Sequence, residues 1–133
     1  MISRVFLGFS ALAIGMIGLL YLYDPNLLLA RYGLEAGSAG MDNMLRSAYG
    51  GIFVGAALLF ALGALKQTRQ RDSMIFLAIF MSGAAIGRIA SILSVGSPPE
   101  TILPLLYYEC ATVVIALVLL MRQDNRGAIA AAN

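Results

Sequence analysis

Four long apolar runs, separated by short polar or glycine-bearing connections, make up most of the chain: about Ile2 to Tyr23, Met44 to Leu65, Ser73 to Val95 and Thr101 to Met121. Each is close to the ~20 residues that a helix rising ~1.5 Å per residue needs to cross a hydrocarbon core of ~30 Å. A membrane strand would need only ~10 residues in strict alternation, and none of the runs alternates. Backbone groups in lipid must bond within their own segment, so the runs are helices. The pattern predicts an all-α membrane protein, an antiparallel four-transmembrane-helix bundle forming one domain over residues 1–133. The first run is expected to be a retained helix. Its apolar stretch from Val5 to about Leu22 exceeds the ~7–15 residues of a secretory h-region, and it ends in "YLYDPN" with no small-residue cleavage pattern.

The connections carry their own signals. Pro25 disfavours helical geometry at Asp24 and closes the first run. The longest loop, about Asp24 to Asn43, holds Gly33, Gly37, Ser38 and Gly40, with Asp42 or Asn43 placed to cap the second helix. "KQTRQRD", Lys66 to Asp72, is a short polar hairpin. "SPPE", Ser97 to Glu100, has the form of a capping box with proline at the first helical position, and Pro104 follows early in the fourth helix. The tail from residue 122 to 133 reads as short and poorly ordered.

Charge sets the direction. Arg4, Lys66, Arg69, Arg71, Arg122 and Arg126 fall on one side of the four spans, and only Arg31 falls clearly on the other. The positive-inside rule then predicts both termini and the 2–3 connection in the cytoplasm, with the 1–2 and 3–4 connections facing outward. Tyr21, Tyr23 and Tyr32 sit where an outer interfacial aromatic belt is expected.

Composition agrees and removes several chemistries. The 133 residues are 60% hydrophobic and 12% charged, with a net charge of +2 and a mean hydropathy of +0.85. That is too apolar for a soluble domain and too weakly basic for a nucleic-acid partner. The absence of histidine removes the commonest metal ligand and the usual general base. The single cysteine, Cys110, has no internal disulfide partner and reads as a small core hydrophobe. No metal site, cofactor or catalytic residue is expected, and the chain is not read as an enzyme.

Three charges break the apolar runs. Arg88 lies eight residues before the outer exit of the third helix and Glu109 eight residues into the fourth, both ~12 Å below the outer end. Arg46 lies ~5 Å down the second helix from the same side. An arginine or carboxylate at mid-span costs roughly 2.5–3.5 kcal/mol on insertion scales, so Arg88 and Glu109 are expected to face each other. Tyr49, Ser91 and Tyr108 stand near enough in sequence to add hydrogen bonds, as does Ser47. Two arginines against one glutamate leave an excess of one positive charge, which invites a carboxylate, a phosphate headgroup or a polarised carbonyl. The alternative is that Arg46 reaches the outer surface and Arg88–Glu109 is a neutral pair fixing helix register.

Small residues recur every four positions: Ser47, Gly51 and Gly55 in the second helix, Gly83, Gly87 and Ser91 in the third, Ala11 and Gly15 in the first. Such stripes let backbones approach in lipid, within the bundle or across a homodimer.

"LRSAYGG", "GAAIGRIAS" with a later glycine, and "YYE" together resemble a family of short bacterial four-span membrane proteins catalogued only as a domain of unknown function. The matching positions are Arg46, Tyr49, Gly50, Gly51, Gly87, Arg88, Ser91, Gly96 and Glu109. The resemblance covers most of the chain and implies a bacterial inner-membrane location and a four-helix fold, with no activity. The general build is also similar, more weakly, to DoxX-like four-span proteins.

Two functional readings stay open. In the first, Arg46, Tyr49, Arg88, Ser91, Tyr108 and Glu109 line an outer-half pocket for a small amphiphile or lipid with an anionic or polar head. In the second, the chain is a non-catalytic accessory or structural membrane subunit in which Arg88–Glu109 only fixes helix packing, with another membrane protein or a second copy of the chain as its partner. A transporter or oligomeric channel is the weaker third, because no inverted repeat or interrupted helix is legible.

Overall fold

The computed structural model of the protein describes residues 1–132, with side-chain surroundings as far as Asp124. Most of the described residues are helical, and none of them lies in a strand. Helix α1 spans Ile2–Tyr23. A single turn, α2, covers Asn26–Leu29 and tightens into a 3₁₀ turn over Ala30–Tyr32. Helix α3 runs Ala39–Leu65, helix α4 Gln70–Val95, and helix α5 Leu103–Ala132. Four of these are long and apolar enough to cross a membrane, which makes the chain a multi-pass membrane protein.

The chain divides into two compact units, Met1–Gln70 and the remainder from Arg71. In the first unit α1 and α3 form an antiparallel hairpin. Glycines set its closeness. A Cβ on Gly18 would stand 2.9 Å from the Val54 nitrogen and 3.0 Å from the Gly50 oxygen, and one on Gly50 would strike Leu22 at 2.8 Å. Gly15 faces Ala57 and Gly8 faces Ala64 along the same seam.

An arginine closes each end of this hairpin. Arg4, at the start of α1, donates to the Ala64 and Leu65 carbonyls at the end of α3, at 2.7 and 3.1 Å. Arg46, near the start of α3, donates to the Leu22 and Tyr23 carbonyls at the end of α1. Both satisfy C-terminal carbonyls that have no partner inside their own helix.

The second unit pairs α4 with α5, again antiparallel. Arg71 meets Asp124 at 3.2 Å near one end, and Arg88 meets Glu109 at 2.8 Å further along. Buried residues of α4 are Ser73, Met74, Leu77, Ala78, Met81 and Ala85. On α5 the buried set is Glu109, Thr112, Ala116 and Leu119, a helical stripe. The opposite faces are apolar and exposed. On α1 they are Ile2, Val5, Phe9, Leu12, Met16 and Leu19, spaced alternately by three and four. Such a stripe is a liability in water and the expected contact face in lipid.

Several expectations need correction. Helix α3 begins at Ala39, five residues before the apolar run, because Ser38, not Asp42 or Asn43, caps it by accepting from the Met41 amide at 3.2 Å. "SPPE" does not form a capping box: α5 starts only at Leu103, after a turn in which the Ile102 amide donates to the Pro99 carbonyl. Gly96, at φ +108°, ends α4 in backbone space that only glycine enters freely. The helix of α5 runs to Ala132, past the boundary expected at 121.

The expected packing stripes are placed differently too. Gly55, Gly83 and Gly87 have open space where a Cβ would stand, and the nearest atom to one on Gly51 is the Arg46 carbonyl of its own helix. Ser47 is exposed. In the first unit the tight approach uses Gly18 of α1 and Gly50 of α3, one residue before Gly51, together with the expected Gly15. Cys110 is exposed, not core, because its neighbour Glu109 takes the inward position.

Candidate ligand site

The six residues singled out for binding divide between the two units. Arg46 and Tyr49 belong to the first, and Arg88, Ser91, Tyr108 and Glu109 to the second.

Arg46 and Tyr49 lie in a π-helical turn, Arg46–Gly51, inserted in α3. Such turns carry one extra residue and re-aim the side chains around them. Here the turn brings Gly50 against Leu22 and sets the Tyr49 ring 5.2 Å from Tyr21 and 5.6 Å from Phe53. The Arg46 guanidinium is almost fully used. Nε donates to Asp42 Oδ2 at 2.7 Å and Nη2 to Asp42 Oδ1 at 3.2 Å, while Nη1 reaches the Leu22 and Tyr23 carbonyls. Asp42 was not among the expected partners. Its signal was its position four residues before Arg46 on one helix face, visible only once the helix is known to begin at Ala39. Asp42 also changes the charge count, since each membrane arginine now has its own carboxylate and no excess remains.

Arg88 is used quite differently. Its Nε alone meets both Glu109 oxygens, at 2.8 and 2.9 Å. Glu109 is only 7% exposed, whereas the Arg88 side chain is 33% exposed. A guanidinium has five N–H donors, and the four on Nη1 and Nη2 find no acceptor among the described residues. Arg88 is also a wall of a cleft of about 210 Å³. Its walls are Arg88, Ser91 and Ile92 of α4, Pro98 and Ile102 of the connection, and Leu103 and Leu106 of α5. Among the described residues Arg88 is its only charged wall and Ser91 its only other polar side chain. The five apolar walls were not singled out from sequence, because which face of α5 turns towards α4 depends on where α5 begins.

Tyr108 does not line this cleft. Its hydroxyl is buried without a hydrogen-bond partner of good geometry, and the Thr112 side chain one turn on is the polar group beside it. No group of histidine, cysteine or carboxylate side chains able to hold a metal occurs among the described residues.

No curated protein matches the chain, and no solved structure matches it. A family model does. Residues 2–120 match the family described as Domain of unknown function (DUF4345), which is most of the chain and includes the π turn, the Arg88–Glu109 pair and the cleft. The chain therefore belongs to this family of unknown function.

Proposed function

We propose that this protein is a non-catalytic membrane protein of the bacterial inner membrane, both termini cytoplasmic, that holds a small amphiphile or lipid by its anionic or polar head. One observation carries the reading: four guanidinium N–H donors of Arg88 lack acceptors among the described residues, and Arg88 is a wall of a mostly apolar cleft. Unpaired donors within a membrane span are costly, and a ligand head supplies the missing acceptors while its apolar part follows Ile92, Leu103 and Leu106. Of the residues first considered, Arg88 and Ser91 would touch the ligand and Glu109 would position Arg88. Arg46 is occupied by protein acceptors and would not take part.

A second reading has its own support. The Arg88–Glu109 pair is complete as an ion pair, so in an accessory subunit it would only fix the register of α4 on α5. The double exchange Arg88→Glu with Glu109→Arg separates the two. Native mass spectrometry of gently purified protein is expected to show a bound small molecule on the wild type. The exchanged protein is expected to stay folded and to lose that molecule. Equal retention of the same molecule by the exchanged protein would defeat the binding reading in favour of the packing one.

A further inference from the structure

Resting on that binding reading, we infer that the group Arg88 recognises is an uncharged one: a carbonyl-bearing head, such as an ester, amide or ketone, on an apolar chain. The charge balance at the cleft points there. Glu109 already neutralises Arg88 at 2.8 Å, and no second cation among the described residues lines the cleft. The Nη donors that remain lie on the same guanidinium as the Nε held by Glu109. An anion seated on them would stand a few ångströms from the Glu109 carboxylate, in surroundings of low dielectric. It would share one cation with a like charge that is itself buried. A carbonyl oxygen takes the same N–H groups and brings no charge to be desolvated.

Size and wall chemistry fit a head of this kind. A volume of about 210 Å³ corresponds to roughly seven water-sized volumes, enough for a compact head and the first methylenes of a chain. Ser91 adds one hydroxyl that can donate to a second ester or amide oxygen. Ile92, Pro98 and Leu106 offer apolar walls to the chain.

Binding of three hexadecyl-chain probes to the detergent-solubilised full chain tests this: the methyl ester of hexadecanoic acid, ionised hexadecanoate, and hexadecane. For the wild type the ester is expected to bind at least about tenfold more tightly than the carboxylate, with hexadecane weakest. In Glu109→Gln the site gains a net positive charge, and the order of ester and carboxylate is expected to reverse. Leu106→Trp, which fills the cleft and leaves the ion pair intact, is expected to abolish ester binding. Nanodiscs of ester-linked and of ether-linked phosphatidylcholine then identify the source. Displacement of the probe by the ester-linked lipid alone assigns the site to bilayer lipid, and displacement by neither assigns it to a free amphiphile. Tighter binding of carboxylate than ester by the wild type overturns the inference while leaving the binding reading in place. An unchanged order in folded Glu109→Gln overturns it too. If that variant does not fold, the wild-type order alone decides. Failure of every probe to bind folded wild type sinks the binding reading itself.

Discussion

Arg46 and Arg88 are the same residue type at membrane depth, and their surroundings make them opposites. Arg46 spends its donors on Asp42 and on the carbonyls that end α1, so it acts as a fastening. Arg88 commits only Nε, to Glu109, and its other donors meet no acceptor among the described residues. The fate of Glu109 depends on Arg88, because the carboxylate is buried. Arg88→Gln leaves it without its counter-charge and is expected to cost about 3–5 kcal/mol. Arg88→Gln with Glu109→Gln removes both charges and is expected to recover most of that loss. Thermal unfolding in one detergent, with both variants run beside wild type, measures the difference. Both residues are visible in the sequence as charges inside apolar runs, and equal depth already suggests that they meet. The free Nη groups are not visible, since they follow from which edge of the guanidinium faces Glu109.

At the scale of the helix, glycine has two meanings here. Gly18 and Gly50 sit where α1 and α3 nearly touch, and a methyl group on Gly18 would meet backbone atoms at about van der Waals overlap. Backbone cannot swing aside as a side-chain tip can. Gly18→Ala is therefore expected to destabilise the hairpin by about 1–3 kcal/mol. Gly55→Ala and Gly83→Ala, which meet nothing, are expected to be neutral or to gain up to about 1 kcal/mol from helix propensity. The same unfolding measurement ranks the three, and equal effects would show that the seam is not where α1 and α3 meet. Spacing by four places residues on one face, but it does not say which face is turned inward. The π turn at Arg46–Gly51 adds a residue in the middle of the stripe and shifts its phase, which no reading with a constant 3.6-residue period reproduces.

For the molecule as a whole, the solvent is the governing fact. Large apolar side chains are exposed on all four long helices, including Leu12 on α1, Leu58 on α3, Ile86 on α4 and Val114 on α5. Six of the nine arginines and lysines lie before the first long helix is under way, between the second and third, or after the fourth, which is the basis for expecting those segments in the cytoplasm. In a Cys110→Ala background, Gln67→Cys is expected to react with an impermeant maleimide only in inverted vesicles, and Glu35→Cys only in right-side-out ones. The opposite labelling pattern would reverse the orientation.

The solvent, the class and number of the long helices, and the two residues that pair within the second hairpin were all legible along the chain. These follow from run length, hydropathy and counted rise, which are local quantities that need no partner. The tertiary structure alone decided which glycines touch, that Asp42 answers Arg46, that Ser38 begins α3, and that Arg88, with donors that meet no acceptor among the described residues, is a wall of a cleft. Each of these depends on helix phase and on the rotation of one helix against its neighbour, and a one-residue shift at a helix start or a π turn is enough to change them.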